Sequence, residues 1–133
     1  METKHGNFII SDDQSLINVE ATHQLILNTY WANNRTKETM QKIIENSLCF
    51  GVFKEDGSQV GFARCVTDYT VMYWVGDVVI NDSCRGQGLG KALMNFIVEH
   101  ENIKGLKGFL TTKDAFGLYE QFGFYMDQGA MRK

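Results

Sequence analysis

The chain contains no proline, and none of its apolar runs approaches the roughly 20 residues that cross a bilayer. A membrane-bound reading is set aside on that ground. Its three cysteines, Cys49, Cys65 and Cys84, form an odd set with no Cys-x-x-Cys pair. Disulfide frameworks and thiolate metal sites are therefore disfavoured, leaving small buried hydrophobes. Histidine is sparse as well: His5 lies far in sequence from His23 and His100, so no metal cluster suggests itself and none is expected. His23 and His100 fall on apolar helix faces and read as packing residues. A basic surplus is also missing. The formal charge of −3 speaks against electrostatic binding of nucleic acid. The opening Met1 to Asn7 lacks the apolar segment of a signal peptide, so a cytoplasmic location is the expectation.

What the chain does have is 133 residues at 44% hydrophobic composition, enough for one globular domain over residues 1–133 with a real core. Phe8-Ile9-Ile10 reads as a first strand, with Ser11, Asp12 and Asp13 as turn or cap residues. Leu16, Val19, His23, Ile26, Leu27 and Tyr30 recur at spacings of three and four, one face of an amphipathic helix. Thr36 is placed to cap a second helix whose apolar side is Met40, Ile43 and Ile44. Leu48 to Phe53 and Gln59 to Val66, joined by Glu55-Asp56-Gly57-Ser58, read as a hairpin. Val71 to Ile80 is β-branched and aromatic, a third long strand. A helix follows in which Leu89, Leu93, Phe96 and Ile97 share a face. Phe109 to Thr111 reads as a short strand, Ala115 to Gln121 as a short helix, and Phe124-Tyr125 as the start of a last strand toward Met131. The order β-α-α-β-β-β-α-β-α-β gives an α/β or α+β fold with about four helices.

Between the third long strand and its helix lies Arg85-Gly86-Gln87-Gly88-Leu89-Gly90-Lys91. A helix N-terminus leaves backbone N–H groups without partners and carries partial positive charge. Glycines let that backbone bend and approach an anion without an intervening Cβ. A pyrophosphate-bearing ligand is the reading that follows. A P-loop requires Gly-Lys-Ser/Thr, but Ala92 follows Gly90-Lys91 here and offers magnesium no hydroxyl. A dinucleotide fingerprint requires G-x-G-x-x-G, and the third glycine arrives one residue early. Both fail on spacing.

The turn resembles the signature of the GNAT superfamily of acyl-CoA-dependent N-acetyltransferases, Q/R-x-x-G-x-G/A between strand and helix. Downstream, Thr112-Lys113-Asp114-Ala115-Phe116-Gly117-Leu118-Tyr119-Glu120-Gln121-Phe122-Gly123-Phe124 resembles that family's second cofactor motif. The two sit at the expected separation, and the element order fits the family fold across nearly the whole chain. Asn46-Ser47-Leu48-Cys49-Phe50 to Asp68-Tyr69 is similar to a compact bacterial subgroup. One departure is Thr112, where many members carry Asn; a hydroxyl there can bond locally.

The resemblance implies a mixed, mostly antiparallel twisted sheet and acetyl-CoA as cosubstrate. Its pyrophosphate would rest on the amides of Arg85, Gly86, Gln87, Gly88, Leu89, Gly90 and Lys91. Its pantetheine arm would run beside Val78, Val79 and Ile80, with Thr112, Asp114, Ala115, Phe116 and Tyr119 on the far side. Arg85 itself is open between a ligand contact and a solvent-facing pair with Asp82. The implied reaction is direct attack of a primary amine on the thioester through a tetrahedral intermediate. The Val78 N–H is the candidate oxyanion donor, a type of contact worth ~3 kcal/mol at a dry site. Tyr119, with reference pKa about 10, is the candidate acid for the departing thiolate; its alternative is a core aromatic. The base is open between Asp77, Asp68 and an ordered water chain, although strand alternation points Asp77 away from the Val78 side chain. Tyr30, Trp31, Arg64, Tyr69 and Tyr73 are candidates for the acceptor pocket, against a reading of them as core. The acceptor could be a small metabolite, a polyamine, an antibiotic amine or a protein amino group, and the acidic balance suits a cationic one. A homodimer is expected from exposed aromatics. The competing functions are a non-catalytic acyl-CoA sensor or interaction module on the same fold, and a generic phosphate-binding domain.

Overall fold

The computed structural model describes residues 1–133. One six-stranded sheet runs in sequence order: β1 (Glu2–His5), β2 (Phe8–Ser11), β3 (Leu48–Lys54), β4 (Gln59–Thr67), β5 (Met72–Ile80) and β6 (Lys107–Phe109). Neighbours are antiparallel except β5 and β6, which are parallel. Helices α1 (Val19–Leu27) and α2 (Lys37–Glu45) cover one face, and α3 (Leu89–Val98) covers the other. A short α4 (Phe116–Glu120) leans on the start of α3, with Leu118 packed beside Gly90. The fold is α+β, as the patterning predicts.

Local chemistry accounts for most element ends. The Asn18 carboxamide accepts from the Ala21 N–H and opens α1, while the Thr36 hydroxyl accepts from the Thr39 N–H and opens α2. In the β3–β4 turn, Asp56 accepts from the Ser58 N–H and hydroxyl. Four expectations need correction. The sheet begins one strand earlier, because Gly6 at φ +58° closes a two-residue hairpin that pairs His5 with Phe8. Helix α1 is shorter than the periodic stretch: Leu16 ends a 3-10 turn and is exposed, and Tyr30 lies beyond the helix. The sixth strand falls at Lys107–Phe109 rather than 109–111, and no strand forms from Phe124 to Met131. There the Phe124 N–H closes back onto the Tyr119 carbonyl.

The two cores divide along the sheet. Ile10, Phe50, Val52, Cys65, Tyr73 and Val75 pack with Leu93, Met94 and Ile97 on the α3 face. Cys49, Phe53, Phe62 and Val79 pack with Ile26, Met40 and Ile44 on the other. Strict alternation would put Tyr73, Val75 and Val79 on one face. Instead, the strand swaps faces partway along. Phe62 pairs with Val79 and Arg64 with Gly76, so β5 carries one more residue than β4 in that interval. Asp77, at φ +55°, sits in this bulge. After it, Val78 and Ile80 turn to the α3 side and Val79 to the α1–α2 side.

Candidate active site

The glycine turn presents its main chain to a cleft of about 1560 Å³ lined by Arg85, Gly86, Gly88, Leu89 and Gly90. Gly86 at φ +80° and Gly88 at φ +74° give the turn its shape, and Gly88 is the N-cap of α3 with no side chain closing it. None of the N–H groups from Gly86 to Lys91 donates to a protein acceptor. The Arg85 side chain is exposed and pairs with Asp82 at 3.0 Å, the second of its two sequence readings. The anion-binding capacity here belongs to the backbone. Gln87 and Lys91, although in the motif, do not line the cleft. The Gln87 carbonyl is instead bonded to His5 Nε2 at 2.8 Å, which ties the first hairpin to the turn.

From the turn the cleft runs along β5. Only Met72, Tyr73 and Trp74 of that strand pair with β6, so from Val75 onward the edge facing away from β4 has no neighbouring strand. The cleft occupies this opening, with Val75 to Ile80 on one wall and Leu110 to Ala115 on the other. An extended ligand arm fits such an edge as an added strand. Val78 lines it within the bulge, where neither it nor Asp77 has a β4 partner. Thr112 Oγ1 accepts from the Ala115 N–H at 3.0 Å and sets the entry to α4. Asp114 and Ala115 line the cleft, whereas Phe116 does not and is exposed. Tyr119 also lines it. Its ring packs edge-on against Phe124, and its hydroxyl has no partner within the protein. Burial, reinforced by Asp114 and Tyr30, pushes its pKa above the ordinary tyrosine value of 10. It is a half-buried phenol that holds its proton.

Asp77 proves to be the centre of an ion-pair network. Its Oδ2 accepts from Arg35 Nη1 at 2.5 Å and Arg64 Nε at 2.7 Å, and its Oδ1 from the Trp31 indole at 3.0 Å. Burial alone would raise its pKa, but the hydrogen bonds and charges of Arg35 and Arg64 together outweigh that and hold it below the usual aspartate value. A carboxylate so engaged, with both lone pairs of Oδ2 and one of Oδ1 taken and its pKa lowered, lacks the basicity to take a proton from an ammonium. Its geometry corrects the expectation of a base at this position. Asp68 corrects likewise: it accepts from the N–H groups of Thr70, Val71 and Met72, which lower its pKa, and it does not line the cleft.

Of the acceptor-pocket candidates, Tyr30, Trp31 and Arg64 line the cleft. Tyr73 is buried on the α3 face, and Tyr69 is exposed in the β4–β5 turn at φ +58°, so neither reaches it. Arg35 does line it and has no sequence signal, since it lies in an irregular connector that only the fold brings to β5. His100 is buried and paired with Asp12 at 2.7 Å, and His23 Nε2 is bonded to the Arg35 carbonyl at 2.8 Å, which fixes that connector.

A mixed sheet opened beside β5, one of its two nine-residue strands, with an uncapped helix start at one end of the opening, is the architecture of the GNAT acetyltransferase fold. Comparison with known proteins agrees. The pattern of the acetyltransferase (GNAT) domain matches residues 46–126, and the chain belongs to the GNAT acetyltransferase family. A crystal structure assigned to that family, from Xanthomonas campestris pv. campestris, superposes with a TM-score of 0.90 at 36% identity, covering 98% of this chain and 94% of that one. The uncharacterized ycf52-like N-acetyltransferase of Prochlorococcus marinus is 30% identical over 126 residues, 92% of this chain and 67% of that protein. The chloroplastic serotonin N-acetyltransferase 2 of Oryza sativa subsp. japonica is 34% identical over 106 residues, 74% of this chain and 52% of that protein. The chain thus spans about half to two thirds of the length of these two relatives. No helix is long and apolar enough to cross a membrane.

Proposed function

We propose that the protein transfers the acetyl group of acetyl-CoA to a primary amine. The reading rests on one observation above all: the unbonded amides of the glycine turn face a cleft that continues along the unpaired edge of β5 to Tyr119 and the Asp77 network. Acetyl-CoA supplies the activated acetyl group as a thioester. The turn amides hold its pyrophosphate, and Val75 to Ile80 hold its arm in extended form. The main chain of Val78 donates to the oxyanion that develops when the amine attacks, a fixed dipole needing no reorganisation. Tyr119 delivers its proton to the departing thiolate, whose basicity is of the same order.

No side chain is assigned as the base. Asp77 is held as a weakly basic carboxylate by its three donors and Asp68 is elsewhere, so water in the wide cleft takes the ammonium proton, or the amine enters neutral. A panel of primary amines, followed by release of the CoA thiol, tests the reading. Acetyl-CoA-dependent thiol release with any amine supports it; binding of acetyl-CoA with no release across the panel favours the sensor.

A further inference from the structure

The network around Asp77 is charge-unbalanced in a way that bears on the acceptor. Two guanidiniums, Arg35 and Arg64, meet one carboxylate, leaving one net positive charge at the end of the cleft beyond Val78. Neither guanidinium is used up. Arg35 gives Asp77 only Nη1, so its Nε and Nη2 donate to nothing in the protein. Arg64 gives Nε to Asp77 and Nη1 to the Ser47 hydroxyl at 3.3 Å, and its Nη2 is free. No buried polar side-chain atom lacks a partner, so these free nitrogens reach solvent, and both residues line the cleft.

The guanidiniums are also held in place. Asp77 is almost wholly enclosed, with 3% of its side chain exposed, and fixes both arginines and the Trp31 indole. Arg64 lies across Gly76, where a Cβ would sit 3.8 Å from its Nε and Nη2. Across the cleft, the Lys113 ammonium stands 5.5 Å from the Tyr30 ring centroid, and with Asp114 next to it in sequence that wall adds no net charge. Preorganised guanidinium forks with spare, convergent donors are the standard protein partner of a carboxylate. A purely cationic alkylamine would meet these guanidiniums with like charge, so the acidic balance of the whole chain misrepresents the local field.

We propose that the acceptor is an amine that also carries a carboxylate, bound through the free donors of Arg35 and Arg64. This rests on the acetyltransferase reading above and names its substrate class. The aromatic rings of Tyr30 and Trp31, in edge contact at 5.1 Å, would cover the part of the acceptor between its two charged ends.

The experiment uses matched pairs: amino acids, including β- and γ-amino acids, against the amines left when their carboxylate is removed, such as phenylalanine with phenethylamine and leucine with 3-methylbutylamine. Turnover is read as kcat/KM and binding as thermal shift in the presence of CoA. The carboxylated member is expected to lead by at least about tenfold, the worth of one charge-assisted hydrogen bond. Arg64→Lys and Arg35→Lys, which keep the charge beside Asp77 but lose the fork, should raise KM for the carboxylated member about tenfold. They should cost the carboxylated member about tenfold more in kcat/KM than the bare amine. Equal use of both members, or equal losses for both in the variants, overturns the proposal while leaving the transferase reading intact. Carboxylate-dependent binding without any turnover sinks the transferase reading and the proposal with it, because the bound molecule is then no acceptor. If no carboxylated amine produces a thermal shift or turnover, the proposal is overturned.

Discussion

Arg64 Nε lies 2.7 Å from Asp77 Oδ2, although the residue directly opposite Arg64 on β5 is Gly76. The extra residue in β5 makes this contact possible, because it turns Asp77 onto the face that Arg64 occupies. The same carboxylate reaches Arg35 and Trp31 in the α1–α2 connector, 42 and 46 residues away in sequence. One buried side chain therefore pins the α1–α2 connector against the cleft.

Asp77→Asn should consequently loosen that loop. Removing one partner of a buried ion pair typically costs 3–5 kcal/mol, but both arginines are partly exposed, at 23% and 19%. The expected loss is about 1–3 kcal/mol after solvent screening, or several degrees in Tm. The pH dependence has a definite sign. Asp77 has a folded pKa below its unfolded value, so its stabilisation is complete above about pH 4 and fades as pH falls through the folded value. The Tm gap between wild type and variant should thus narrow on acidification. A gap independent of pH from 7 to 3 would show that Asp77 acts through packing alone.

Tyr119→Phe should lower turnover about 100-fold while leaving acetyl-CoA affinity unchanged. Burial, with Asp114 and Tyr30, keeps the phenol protonated beyond pH 10, so the wild-type rate should have no alkaline fall attributable to this residue in the neutral range. Binding and single-turnover measurements on the variant separate the two effects. Undiminished turnover would return Tyr119 to the role of a core aromatic.

Acetyl-CoA at 100 times its dissociation constant should stabilise the protein by about 2.7 kcal/mol, a Tm rise of several degrees, while ATP and NAD should leave Tm unchanged. Gly88→Val should abolish that rise. Valine is strained at φ +74°, and its Cβ would stand 3.4 Å from His5 Nε2, so the unliganded Tm should drop as well. A variant that melts earlier yet keeps the full ligand-induced rise would place the phosphates elsewhere.

The cysteines should be silent in the native protein. Burial pushes the Cys49 thiol up to about 11 and the Cys65 thiol to about 12, and Cys84 is enclosed too. A thiol-reactive disulfide reagent at pH 8 should label none of the three until denaturant is added. Rapid labelling of the folded chain would mean that one of the cores opens readily.

What the sequence by itself determined was the set of local structures whose causes lie within a few residues. The Thr36 cap, the β3–β4 hairpin about Asp56 and Gly57, and the strand, glycine turn and helix from Val71 to His100 are each fixed by spacing, side-chain hydrogen bonds and tolerance of positive φ. The short hairpin at Gly6 was equally local, and its Gly-Asn pair is the signal that could have shown it. Tertiary structure alone decided the Asp77 end of the cleft. Arg35 sits in a connector with no periodicity, and Asp77 looked like one member of an alternating strand. Which face a strand residue takes depends on its register with the neighbouring strand, and a single extra residue reverses it. The meeting of Trp31, Arg35, Arg64 and Asp77 is therefore a property of the assembled sheet, and no window of the chain contains it.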